Sequence, residues 1–296
     1  MRKYFGLFLV GMLLMGSQSH LQGQSLETLL ERYTGKNAPG YIQPLVTAFG
    51  ANLNSGLFRS AKVPKSGLHL NFSLTGMISV FSDEQKVFTA TTEGLFYPEQ
   101  QVETSTIVGD GKGTTVTGTG GTQFTFPGGY NLESFGLAVP TVTIGSIAGT
   151  EASLRYISTN LGEDIGKLSL LGIGVRHSIS QYIPLFPLDV AAGVFYTKFD
   201  VADIIKTRLF SLHAEASRSF LLLEFYGGVA LDYNSTDINY TFTALDTPTE
   251  VSVSIKESGQ FRALAGVAIN LLMFHANIDY SVGYQNVISA GISLGL

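Results

Sequence analysis

The 296-residue sequence contains no cysteine. That absence excludes disulfide staples, thiolate metal sites, a cysteine nucleophile and a lipid-bearing N-terminal cysteine. Charge is also scarce: Asp, Glu, Lys and Arg make up 14% of the chain, against about 25% in an average soluble domain. The formal net charge of −5 lacks the basic footprint of a nucleic-acid binder, so no nucleic-acid partner is expected. No apolar run reaches the roughly 20 residues of a membrane-spanning helix. A chain with this composition crosses a membrane with strands or not at all. What it has in quantity is Gly (34), Phe (20) and Tyr (13), which suits an outer surface that meets lipid.

The first residues, "MRKYFGLFLVGMLLMGSQSHLQGQ", place Arg2 and Lys3 before an apolar or Gly run from Tyr4 to Gly16, followed by small and polar residues. This order predicts a secretory signal peptide over 1–23, with Ser19 and Gly23 both fitting the small-residue cleavage rule. Residues 24–53 read as a helical segment that plugs a barrel or braces its periplasmic mouth. In "SLETLLERYTG", Leu26, Leu29, Leu30 and Tyr33 recur at helical spacing behind Ser25 as N-cap. In "APGYIQPLVTAFGANLNSG", Tyr41, Leu45, Phe49 and Leu53 recur every four residues, with Pro44 expected in a first turn.

From Ser66 the period changes to two. In "SGLHLNFSLTGMISV" the even positions from Leu68 to Val80 are apolar or Gly, and His69, Asn71, Ser73, Thr75 and Ser79 alternate with them. The stretches from Lys206, Phe220, Gly259 and Phe274 repeat the pattern, and the chain closes on "VISAGISLGL". Repeated alternating segments of about ten residues match strands that cross a tilted, roughly 25 Å apolar band. Residues 54–296 therefore read as an all-β, antiparallel, up-and-down transmembrane barrel of about 12 strands, within a range of 10–14. Residues 131–146 do not read as a clean strand, and 104–123 and 234–250 read as long external loops.

The polar faces give the candidate lumen residues His69, Arg208, His213, Glu215, Glu224, Arg262, His275 and Asp279, with Arg176 as a further charge. Their mixed signs predict interlocking ion pairs that fill the bore rather than a selectivity ring of one sign. "GDGKGTT" (109–115) lacks the G-x-x-x-x-G-K-[ST] spacing and reads as a surface loop. His69, His177, His213 and His275 form no metal-ligand spacing, so no metal or cofactor is expected. His213 with Glu215, and His275 with Asp279, share strand faces as an acid and the imidazole it orients would. No nucleophile motif accompanies either pair, and the expected protein is not an enzyme.

The stretches 41–67 and 171–196 and the ending "SAGISLGL" resemble a family of outer-membrane β-barrel proteins of unknown function, found chiefly in Bacteroidetes-type Gram-negative bacteria. A looser likeness is to the long-chain fatty-acid transporters, which also carry an N-terminal plug before a barrel. These resemblances imply an exported protein of the outer membrane that contacts outer-membrane lipid. The leading expectation is passive transport or binding of a small solute, hydrophobic by the second likeness. A structural or surface-interaction barrel presenting 104–123 and 234–250 is the alternative, and a soluble secreted β-sandwich is the third reading. The oligomeric state is left open.

Overall fold

The structure, a computed structural model, describes residues 36–92, 96–160, 166–183, 185–244 and 247–295. The expected signal peptide and the first expected helix lie outside them. Helix α1 (Asn37–Asn54) comes first, then strands β1 (Ser66–Val80), β2 (Val87–Thr91), β3 (Gln101–Ser105), β4 (Thr115–Thr117) and β5 (Gln123–Thr125). Nine longer strands follow: β6 (Ser134–Ile147), β7 (Thr150–Asn160), β8 (Lys167–Ser178), β9 (Asp189–Val201), β10 (Ile205–Phe220), β11 (Leu223–Ala244), β12 (Thr247–Leu271), β13 (Phe274–Gly283) and β14 (Val287–Gly295). Ten of the strands close into an antiparallel barrel in the order β1-β14-β13-β12-β11-β10-β9-β8-β7-β6. This is fewer than the expected 12, because β2-β3 and β4-β5 pair into separate two-stranded sheets.

Strand parity sets which side chains meet lipid. Along β1, Phe72, Leu74 and Ile78 are exposed on the outer wall while Thr75, Met77 and Ser79 are buried inside. Register with β14 sets Phe72 beside Leu294, Leu74 beside Ile292 and Ile78 beside Ile288, so the outer face is continuous across strands. On β10, Phe210 and Leu212 point out, and Ser211, His213, Glu215 and Ser217 are buried. Apolar outside and polar inside is the inverse of a soluble sandwich and the pattern of a transmembrane barrel.

The chain divides into two units. One holds α1 up to Phe49, Val80–Phe135 and Asp237–Ile255; the other holds Gly50–Ser79, Gly136–Thr236 and Lys256–Leu296. In the first, the Asn37 side chain grips the backbone of β2, donating to the Thr91 carbonyl at 2.7 Å and accepting from the Thr91 N–H at 2.9 Å. Tyr41 donates to the Gly128 carbonyl at 3.0 Å, and Phe49 meets Phe135 edge to face. Asp110 accepts from the Ser105 hydroxyl and the Lys112 N–H, and these donors hold its carboxyl below the usual carboxylate range. In the second unit the connections 148–149, 221–222 and 272–273 are tight turns at the end where β14 finishes.

Three local expectations are corrected. Residues 131–146 contain a barrel strand, β6, whose alternation is interrupted by Pro140; its ladder with β7 begins immediately after, at Thr141 opposite Arg155. Residues 234–250 are not a loop, since β11 and β12 run through them to a connection at 245–246. Their Thr, Ile, Tyr, Phe and Val content favours strand, and a strand beyond the lipid needs no apolar face. Pro44 is interior to α1, not in its first turn, because the helix already begins at Asn37. The missing N–H forfeits the bond to the Gly40 carbonyl, and Gly at that position carries no side chain to add to the crowding.

Outward and inward positions on β1 make opposite predictions. Phe72→Arg places a charge on the lipid face and is expected to cost about 2 kcal/mol near the band centre, lowering the temperature of heat-modifiable gel migration. Ser73→Asp points into a lumen cavity and should leave that temperature unchanged; the reverse pattern would invert the wall.

Candidate functional site: the plugged lumen

The last turn of α1 and the segment that follows it lie inside the barrel. An α-helix leaves its final four carbonyls without intrahelical donors, and burying them unpaired is costly. Here all four are accounted for. The Ser55 hydroxyl donates to Ala51 O at 2.8 Å, and the Ser55 N–H to Asn52 O at 3.0 Å. Arg155 Nη1 donates to Leu53 O at 2.8 Å, and Arg262 Nη2 to Asn54 O at 2.7 Å. Arg155 Nη2 reaches further, to Ser55 O at 3.2 Å and Gly56 O at 2.7 Å. Gly56 takes the left-handed conformation (φ 60°) that ends a helix, and a Cβ there would meet Thr75 Cγ2 at 2.6 Å.

Both arginines belong to the wall: Arg155 is on β7 and Arg262 on β12, and both are almost fully buried. The helix itself has no basic residue in its last turn, so the barrel supplies the cations that its negative end favours. Arg262 is neutralised by Asp232 at 2.9 Å, which also accepts from Ser211 at 2.7 Å and Tyr284 at 3.1 Å. Arg155 forms no ion pair among the described residues. Its compensation is the helix carbonyls, the Thr141 hydroxyl at 3.1 Å and the Phe195 ring at 5.1 Å. Asn54 adds a bond to Asn234 at 3.0 Å, and Ser79 one to Asn52 at 2.8 Å.

Below the helix the segment stays tied to the wall. Arg176 bonds Glu215 at 2.6 Å, and also Glu151 and the Ser60 carbonyl. Ser60 donates to Glu224, which also accepts from Ser217 at 2.7 Å and from Asn270 at 3.0 Å. The Ala61 N–H donates to Ser217 Oγ at 3.0 Å, and Arg59 to Asn270 Oδ1 at 3.0 Å. Phe58 stacks on His213 at 5.5 Å and lies against Gly228, where a Cβ would come within 2.9 Å of its ring. Beside the segment a cavity of about 410 Å³ remains, lined among others by Arg59, Lys62, Asn71, His275, Asn277 and Ser293.

Most of the lumen candidates face inward. His213, Glu215, Glu224, Arg262 and Asp279 are buried there, while His69 meets Glu151 at 3.3 Å and His275 meets Asn270 at 2.8 Å. Arg208 is the correction: it shares the parity of Phe210 and Leu212, faces outward, and bonds Asp200 at 2.6 Å beside Lys198. His213 and Glu215 come within 3.9 Å, whereas Asp279 is held by Tyr226 at 2.8 Å, apart from His275's partner. Sequence reasoning missed Arg155, Glu151, Arg59 and the Asn234–Glu257 bond at 2.9 Å. "EASLRYI" does carry the signal, since Glu151, Ser153 and Arg155 alternate with Ala152, Leu154 and Tyr156.

The two clamps should differ in cost. Arg262→Met strands the buried Asp232 carboxylate, and about 3–5 kcal/mol of stability should be lost. Arg155→Met strands only carbonyls and removes an unneutralised cation, so about 1–3 kcal/mol is expected. Denaturant midpoints in detergent check the order, and a larger loss at Arg155 would contradict it.

Similar solved structures include the loop-L8-deleted outer membrane protein OmpT of Vibrio cholerae, at 10% identity over 79% of this chain and 100% of that chain, with a TM-score of 0.27. The translocator domain of the autotransporter NalP from Neisseria meningitidis matches at 10% identity over 86% and 93%, with a TM-score of 0.27. A BenF-like porin from Pseudomonas fluorescens Pf-5 matches at 12% identity over 78% and 98%, with a TM-score of 0.19. No curated protein matches the sequence. The sequence matches a family of unknown function, DUF6588, over residues 1–296, and the chain belongs to that family.

Proposed function

We propose that this barrel is a plugged passive transporter or solute-binding protein of the bacterial outer membrane. The observation that carries the reading is the lumen segment itself: residues 50–61 occupy the bore, tied to the wall by Arg155, Arg176 and Arg262, yet a cavity remains beside them. The ties are hydrogen bonds and ion pairs, each of which water can replace, so the segment can be displaced without breaking a strand ladder. The barrel strands begin only at Ser66, which leaves the plug dispensable for closure of the wall. The cavity is lined by Arg, Lys, Glu, His, Asn and Ser together with Leu57, Phe58, Leu70 and Leu272, so a solute that carries polar groups can be paired there in a way that a wholly hydrophobic one cannot. Nothing in this reading calls for catalysis or a cofactor.

A surface-interaction role is the second reading, favoured by the folded insertion 81–133 with its two hairpins. Conductance separates the two. In planar bilayers, deletion of 37–60 and the double variant Arg155→Met/Arg262→Met are expected to raise ion conductance at least fivefold over the full chain. Unchanged conductance in both would remove the transport reading and leave the insertion as the functional part.

A further inference from the structure

The cavity beside the plug is lined by charges of both signs, Arg59, Lys62 and Arg176 with Glu151 and Glu224. Arg176, on its rim, is held by two carboxylates, Glu151 and Glu215. Glu224 is occupied by Ser60, Ser217 and Asn270. Two cations in this space form no ion pair among the described residues, while the carboxylate oxygens of Glu224 are taken by neutral donors. Arg59 forms no ion pair among the described residues, and only one of its guanidinium nitrogens is engaged, by Asn270 Oδ1. A guanidinium carries five donors in a planar fork that matches a carboxylate's two oxygens. Lys62 lines the same space and also forms no ion pair among the described residues.

The neutral groups around Arg59 are of the kind that recognise hydroxyls. Asn270 donates to Glu224, so its Oδ1 accepts from both Arg59 and His275 Nδ1, which turns His275 Nε2 outward as an acceptor. Asn277 spends one donor on Tyr226 and keeps its carbonyl oxygen. Ser293 is only 7% exposed, and its hydroxyl has no partner among the described residues. A buried polar group left unpaired costs free energy that a ligand hydroxyl would recover. At about 410 Å³ the cavity lies within the usual range of small-molecule sites, about 300–1,000 Å³.

We propose that this cavity binds a small hydroxylated carboxylate, of the sugar-acid class, with its carboxylate on the open edge of Arg59 and its hydroxyls on Asn277, Ser293 and His275. The proposal rests on the solute-binding reading above and names the solute's chemistry. Because Arg59 belongs to the plug segment, the ligand sits on the plug itself. The cavity lies at the end of the barrel where β14 finishes, near Gly295 and Leu272.

The test uses the full chain in detergent, with galacturonate, galactose and inorganic phosphate as probes in equilibrium dialysis and saturation-transfer NMR. Galacturonate is expected to bind at least tenfold more tightly than either galactose or phosphate. Arg59→Gln should weaken galacturonate at least tenfold and leave galactose unchanged, Arg59→Lys should fall between, and Ser293→Ala should weaken both sugars. Heat-modifiable migration verifies that each variant is folded. Equal binding of galactose and galacturonate, phosphate binding tighter than galacturonate, or an Arg59→Gln variant with unaltered affinity would each overturn the proposal. Failure to bind galacturonate while the clamp variants conduct removes the solute class alone; binding while they stay closed removes the transport reading alone.

Discussion

A helix that ends inside a barrel presents four bare carbonyls to a space with little water, and the rest of the lumen is arranged around satisfying them. Ser55 takes two through its own hydroxyl and N–H, and the wall arginines Arg155 and Arg262 take the others. Each arginine then imposes a further demand. Arg262 requires Asp232, which recruits Ser211 and Tyr284. Arg155 finds no carboxylate among the described residues and is balanced by several carbonyls at once, so its burial makes sense only with the plug in place. The close fit continues at Gly50, where a Cβ would come within 2.7 Å of Asn234 Nδ2.

Barrel size explains why a plug is present at all. Eight strands enclose a bore that side chains alone can fill, whereas sixteen or more leave an open channel. Ten strands fall between, and the added volume is taken up by a length of backbone and by the residual cavity. The lumen holds both signs, with Glu151, Glu215, Glu224, Asp232 and Asp279 buried on the wall alongside Arg155 and Arg262, yet the pairing is uneven. Arg155 is spent on backbone carbonyls in the plug, and the guanidinium of Arg59 keeps an open edge toward the cavity.

Parity made most of this legible in the sequence. The inward charges on β10, β11 and β13 follow from a period of two once one apolar position is assigned, and Arg208 falls outside by its even number; on β12 the phase changes between Glu257 and Arg262, which both face inward. Where apolar residues stop marking one face, the signal fades: Pro140 hides β6, and the Thr- and Asp-rich ends of β11 and β12 read as loop because strands beyond the lipid have no side that must be greasy. The clamp was not legible. A helix C-terminus with no basic residue of its own gives no hint that cations arrive from strands a hundred or more residues away, at positions 155 and 262.

The absence of cysteine makes the central claim directly measurable. Asn54 and Asn234 meet side chain to side chain in the lumen, and the chain offers no competing thiol. In the double variant Asn54→Cys/Asn234→Cys, an intramolecular disulfide should form under mild oxidation in intact membranes, seen as a shift in gel migration reversed by reductant. Two free, alkylatable thiols in a folded barrel would show that the end of α1 does not lie in the lumen, and the account of the plug would fail.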